Sequence, residues 1–466
     1  PAVNLGPGRT VAVDSTASQA QYAISSADAP AAYDDRQCPS TSWHVFDPAR
    51  AVKVDVYGMR WAEGASAPRR ALRSAGDTCA ARTWALDERL KKPRRNHDCT
   101  IQDDRWLINA LGRWADDVEV MDLFSGATAS FPAPAGADPD GHAVGDLNHN
   151  TAVRVSKVDG SGGEELWFPC GFHGSPIGSE VSSSHMRVLD MQSMELRIAG
   201  RSPVGGACAP LALHVSSAEH KDVCVFGGTR GSHDAGDLLD DVMCFDRRNS
   251  VWSEAFVKLP RPMDHGSLAF IPGGACDDAS GPRLLMFNYR TSHAASWSAT
   301  VWALNLVESD GKLQAASNWY AFAYGDSVEA AAHEEPRDSA GMVTADGGKF
   351  LLDFGGITHT DAILRNKQHS TVRAFDVCGS KTWQRVPDVS LGMPLFATKT
   401  CASADLRVAV TCGGAGPVAY PYYHMRGSET DYSTVARGAD TAANSNNHYC
   451  VVNRFDGTPF AALDGR

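Results

Sequence analysis

Short apolar runs alternate with polar stretches along this chain, and the runs come in pairs. Val223-Cys224-Val225-Phe226-Gly227-Gly228 leads into a polar loop, then Val242-Met243-Cys244-Phe245-Asp246, the turn Arg247-Arg248-Asn249-Ser250, and an aromatic strand at Val251-Trp252. An apolar run stopped by two glycines predicts a buried strand ending at a tight turn, since glycine adopts positive φ without steric cost. The phrase returns at Phe350-Leu351-Leu352-Asp353-Phe354-Gly355-Gly356, with Val372-Arg373-Ala374-Phe375-Asp376 and Trp383 behind it. Weaker copies pair 106–112 with 118–122, 166–171 with 186–190, 284–287 with 301–305, and 408–414 with 448–452. A third-strand phrase without a clear partner, Trp43-His44-Val45-Phe46-Asp47, stands near the start. Seven hairpins therefore recur at intervals of roughly 55–75 residues, a period that marks a radial or linear repeat architecture.

The pattern predicts an all-β chain of four-stranded antiparallel sheets. With its double glycine, hydrophobic strand closed by Asp and downstream Trp, it resembles a kelch-repeat β-propeller, the architecture also of the central domain of galactose-oxidase-like enzymes. That resemblance implies seven blades, or six with an N-terminal extension, and covers about four-fifths of the chain. Residues 1–94 are read as an N-terminal segment holding a first or closing blade and an insertion, with Thr83-Trp84-Ala85-Leu86 as an outer strand. Residues 95–466 are read as the remaining blades of the same domain. A propeller accommodates 466 residues in one domain because each sheet packs mainly on its neighbours.

The net charge of −12 argues against a nucleic-acid partner, which needs a basic face to displace counterions. The run Lys91-Lys92-Pro93-Arg94-Arg95 is read as a solvated turn between blades. No apolar stretch approaches the 18 or so residues of a membrane helix. Twelve spread cysteines favour an oxidising, secreted or luminal setting, with a cytoplasmic chain of reduced core thiols as the alternative. The absence of an Asn-x-Ser/Thr sequon lends that setting no support. Cys224 with Cys244, and Cys412 with Cys450, fall on adjacent strands of one repeat, where neighbouring strands about 4.8 Å apart bring Cα atoms within disulfide reach.

Galactose-oxidase-like propellers hold copper with tyrosine and histidine, one tyrosine being thioether-linked to a cysteine. Cys99 stands about where that family keeps its cysteine, but the matching tyrosine position reads Asn148-His149-Asn150-Thr151, so the copper-radical activity does not carry over. Three histidines, His97, His149 and His265, each open an innermost strand and are the metal-ligand candidates, although kelch blades commonly place a hydrogen-bonding His there. The acid pairs Asp103-Asp104, Asp116-Asp117, Asp240-Asp241 and Asp277-Asp278 are read as solvated turns. Long loops at 229–241, 307–335 and 415–447 are where function is to be sought. In the last, Tyr420, Tyr422, Tyr423, His424 and Arg426 form the candidate binding set, since tyrosine offers contact area at little entropic cost. The resulting expectation is a non-catalytic binding module without a cofactor, engaging a protein or glycan through loops on one face. The alternative is a metal-dependent, copper-oxidase-like enzyme with its site at the channel mouth.

Overall fold

The computed structural model describes residue 90, residues 94–414 apart from short stretches of which the longest is 325–335, residues 450–455, and six strands between residues 2 and 85. Each repeated phrase becomes the middle two strands of an antiparallel blade. Blade 1 comprises Asp98–Gln102, Trp106–Ala110, Asp117–Asp122 and Thr128–Pro132. Blade 2 comprises Val153–Ser156, Glu164–Phe168, His185–Asp190 and Glu195–Arg201, and blade 3 Ala209–Leu213, Asp222–Arg230, Asp237–Asp246 and Val251–Glu254. In blade 4, Ser267–Ile271, Arg283–Phe287 and Val301–Ser309 are flanked by two short outer strands, Lys312–Ala315 and Tyr320–Ala323. Blade 5 comprises Gly341–Ala345, Phe350–Phe354, Thr371–Asp376 and Trp383–Ser390. Blade 6 runs Lys399–Ala402, Val408–Cys412 and Cys450–Phe455, and takes its outer strand, Ala81–Ala85, from upstream of blade 1.

The blade number is six, not seven. Every apolar cluster but one small one spans two adjacent blades, and the series closes on itself. Leu166, Phe168 and Leu189 of blade 2 pack on Ile108, Ala110 and Val118 of blade 1. Equivalent clusters join blades 2 and 3, 3 and 4, 4 and 5, and 5 and 6. The last joins Val410, Cys412 and Val452 of blade 6 to Ile101, Leu107 and Met121 of blade 1. Cys99 and Cys401, on the innermost strands of these two blades, form a disulfide with Cα atoms 5.9 Å apart, which leaves no room for a seventh sheet. The N-terminal strands form instead a separate five-stranded meander, Ala2–Asn4, Thr10–Asp14, Gln21–Ile24, Val52–Asp55 and Gly58–Trp61. The phrase Trp43–Asp47 lies outside the described residues.

The glycine pairs have a definite task. A Cβ on Gly227 would lie 2.3 Å from the Met263 carbonyl oxygen, while the Gly228 amide donates to that same oxygen at 2.9 Å. Gly356 and Gly414 donate likewise, to Leu395 at 2.7 Å and Arg94 at 2.9 Å. Strand two of each of these blades thereby docks on the chain entering the next blade. Where the first glycine is missing, at Leu111, or both are, at Asn288-Tyr289, Leu111 or Asn288 takes the left-handed conformation, at φ 59 and 53, which is why those repeats are weak in sequence.

Both expected in-blade disulfides are present. Cys224 faces Cys244, and Cys412 faces Cys450, with Cα separations of 4.0 and 4.1 Å. Cys170–Cys208 and Cys276–Cys378 are also bridged, and no cysteine is free among the described residues. These bridges fit an oxidising, extracellular-type environment. No helix of the described residues is long and apolar enough to cross a membrane.

Two readings of surface charge are corrected. Arg94 and Arg95 are buried rather than solvated, and Arg94 pairs with Asp117, itself buried, in blade 1. Asp240 and Asp241 lie half-buried within the third strand of blade 3 rather than in a solvated turn, each 3.0 Å from Lys258.

Candidate functional site at the channel mouth

The innermost strands enclose a channel of about 520 Å³, and a ring of equivalent residues stands at one end of it. Before five of the six innermost strands the chain makes one bridge to its own blade, Arg95 to Arg113, Asn148 to Phe172, Gly206 to Thr229, Asp264 to Arg290 and Asp338 to Ile357. The residue after each of the first four turns left-handed, as does Ala397 before blade 6: Asn96, His149, Ala207, His265 and Ala397 have φ of 51, 49, 29, 53 and 54. Asn and His tolerate this region better than most residues. Backbone bonds tie the ring together, Asn96 N–H to the Ala397 carbonyl and His265 N–H to the Ala207 carbonyl, both at 3.0 Å.

Two of the three histidines expected at the channel, His149 and His265, are ring members. His97 is not; it follows the ring residue Asn96, and the opposite facing of successive side chains sends it into the blade interior. There it is buried against Gly112 and Gly413. Its place is taken by His233, from the loop between the second and third strands of blade 3. His265 Nε2 lies 3.2 Å from His149 Nδ1 and 3.3 Å from His233 Nε2. His265 meets the other two rings edge to face with centroids 5.2 Å apart, and His149 and His233 are tilted 44° to each other at 4.7 Å.

His233 is placed by stitching between two loops. Its N–H donates to the Glu180 carbonyl at 3.2 Å, and Ser182 N–H to the Gly231 carbonyl at 2.8 Å. The Arg290 guanidinium donates to the His233 carbonyl at 3.2 Å and to both Asp264 oxygens, at 2.8 and 2.6 Å. Glu180 is buried behind the rings and pairs with Arg113. Phe172 closes the back of the site, edge-on to His149 and His233.

Burial first, then the neighbouring His233 and His265 rings, then Arg113 and Arg95 push His149 well below the ordinary imidazole range. His233 is lowered by burial against the opposing effect of Asp234. Burial alone would raise Asp264, but His265 and Arg290 outweigh it and hold the carboxyl below its usual range. Deeper in the channel, burial raises Asp98 despite Lys399 and the amides of Ala152 and Cys99.

Sequence reading missed His233 and Glu180. The only signal for His233 was its place in the long loop expected at 229–241; nothing marked Glu180. Cys99 is committed to its disulfide, so its sulfur is not available for a thioether to tyrosine. Tyr420, Tyr422, Tyr423, His424 and Arg426 lie outside the described residues.

Strand order and closure define the class as a six-bladed β-propeller. No protein-family model and no curated protein matches the sequence. The solved structure of YjhT is similar, with 11% identity and a TM-score of 0.49 over 70% of this chain and 92% of that one. At that level the likeness carries no argument, and the assignment rests on the strand pairing.

Proposed function

We propose that the chain is a kelch-type propeller of a secreted or luminal compartment that binds a protein or glycan partner, and not nucleic acid, through the face bearing the channel mouth. The observation that supports this most is where the connections between second and third strands leave the blades. The connection of blade 3, which is the short turn 231–236 and not the long loop expected at 229–241, and the root of the 415–449 segment both lie beside the ring. Gly414, the last described residue before the segment, bonds to Arg94, two residues from ring member Asn96. The segment is fastened at its root by Cys412–Cys450. A partner reading predicts that replacing Tyr420, Tyr422 and Tyr423 with Ser leaves the melting temperature nearly unchanged while weakening capture on an immobilised glycan panel or by a cross-linked protein partner. A fall of many degrees would make the tyrosines core and remove the segment from the binding surface. A metal-dependent enzyme is the second reading, favoured by the three imidazoles at the channel mouth.

A further inference from the structure

Four groups of metal-ligating side chains stand out among the described residues, and in three of them protein groups already engage some of the donor atoms. Asp138 accepts from the amides of Asp140 and His142 and from Arg187, which ties up the group with Asp140 and His185. His173 Nδ1 is engaged by the Asp146 carbonyl at 2.5 Å, and the Asp146 carboxylate accepts from Gly174 N–H at 3.1 Å. Asp222 and Asp246 cap their own turns through the amides of Val215, Ser216, Arg248 and Asn249. The group His149, His233 and His265 differs.

In that group a carboxylate stands at the outer nitrogen of every ring. Asp264 lies 3.0 Å from His265 Nδ1, Asp234 2.6 Å from His233 Nδ1, and Glu180 3.6 Å from His149 Nε2. The Asn96 side-chain amide nitrogen also faces His149 Nε2, at 2.7 Å; turning that amide over brings its oxygen there to accept the same proton. A carboxylate at one imidazole nitrogen holds the proton there and leaves the other as a lone pair. In the tautomers that keep each proton on the outer nitrogen, three lone pairs would face one another at His149 Nδ1, His233 Nε2 and His265 Nε2. A proton shared among them relieves one contact only, because His265 Nε2 has a single in-plane site and two neighbours at 3.2 and 3.3 Å. A cation relieves all of them at once.

We infer that His149 Nδ1, His233 Nε2 and His265 Nε2 form a binding site for a divalent late-transition ion of the zinc type. Two imidazole nitrogens about 2.0–2.1 Å from a tetrahedral ion lie about 3.3–3.4 Å apart, close to the 3.2 and 3.3 Å that separate His265 Nε2 from the other two, and all three lie within 4.8 Å of one another. Three neutral nitrogens without a thiolate select zinc or copper over magnesium or calcium. Arg113 and Arg290, the nearby cations that would oppose a metal, are each paired with one of the outer carboxylates. A buried oxygen of Glu180, Oε2, has no hydrogen-bond partner and lies 4.0 Å from His233 Nδ1, so the site holds negative charge in reserve. Three protein ligands leave a fourth position, on the side where His149 and His265 border the channel, for water or a small-molecule ligand. This inference shares His233 with the blade 3 connection of the partner reading but does not depend on the tyrosine segment.

The test uses the full chain without an affinity tag, stripped with chelator and titrated with Zn²⁺ by calorimetry, with metal content counted after gel filtration. One equivalent per chain is expected. His233→Ala, a change in a loop, weakens it by about 100-fold or more, and Asp234→Asn by about 10-fold. His142→Ala, in a neighbouring group, leaves it unchanged. Melting curves of the stripped variants come first; if His233→Ala does not fold, the wild-type chain loaded with Co²⁺ decides, by the strong visible absorption of a four-coordinate ion. No stoichiometric metal, undiminished affinity in folded His233→Ala, or the weak spectrum of six-coordinate Co²⁺ would each overturn the site.

Discussion

A shift of one position along the backbone separates a channel ligand from a core residue here. Asn96 and His97 are adjacent, yet only the first occupies the ring, because the left-handed turn at Asn96 aims its side chain at the mouth and the next side chain faces away. The same local accounting explains Asp246, which closes the third strand of blade 3. Burial would raise its carboxyl, but the side chain and amide of Asn249, the Arg248 amide and His220 outweigh this and bring it down to about 2. A depressed folded-state value means the carboxylate stabilises the fold above its unfolded value near 3.8 and stops doing so as pH falls toward 2. Asp246→Ala should therefore cost about 1–2 kcal/mol at pH 7, with the difference from wild type vanishing by about pH 2. Urea midpoints across that range check it; a penalty independent of pH would assign the loss to turn geometry alone.

Among the strands and turns, the most readable feature was the apolar run that ends in paired glycine. All six hairpins within the ring form where the pattern places them, and in the three that carry the pair the second glycine makes the same docking contact. Gly227 is the strongest case, with φ 61 and a backbone oxygen 2.3 Å from where a Cβ would sit. Gly227→Ala should destabilise by about 3 kcal/mol, combining left-handed strain with a clash that no side chain can relieve. Chemical denaturation measures it, and a loss below about 1 kcal/mol would show that the blade junction yields easily. The basic run at 91–95 misled for the opposite reason: charge in sequence says nothing about a buried partner, and Asp117 lies in another strand.

For the whole ring, closure is the decisive event, and it is made twice. Ala81–Ala85 completes blade 6 from the N-terminal side, and Cys99–Cys401 links the innermost strands of the first and last blades across 302 residues. Cys224–Cys244 spans only 20 residues within one sheet. Since the entropy withdrawn from the unfolded chain grows with the loop enclosed, replacing Cys99 and Cys401 by Ala should cost about 5 kcal/mol against about 3 for Cys224 and Cys244. Calorimetry or urea unfolding of the two double variants tests the order; a larger loss from the in-blade pair would mean that strand hydrogen bonds alone hold the ring shut.

The one-dimensional pattern was sufficient for the all-β class, the hairpins, both in-blade disulfides and two of the three ring histidines, because each depends on spacing within a single repeat. Blade number was not of that kind. It follows from which apolar faces meet at closure, and the Cys99–Cys401 link and the borrowed outer strand join residues about 300 or more positions apart. The imidazole cluster is likewise a tertiary product: His149, His233 and His265 come from three separate connections, and Glu180 from a fourth, with no periodicity among them. Only folding into a ring, which turns repeated strand entrances toward a common axis, brings their nitrogens within a metal's reach.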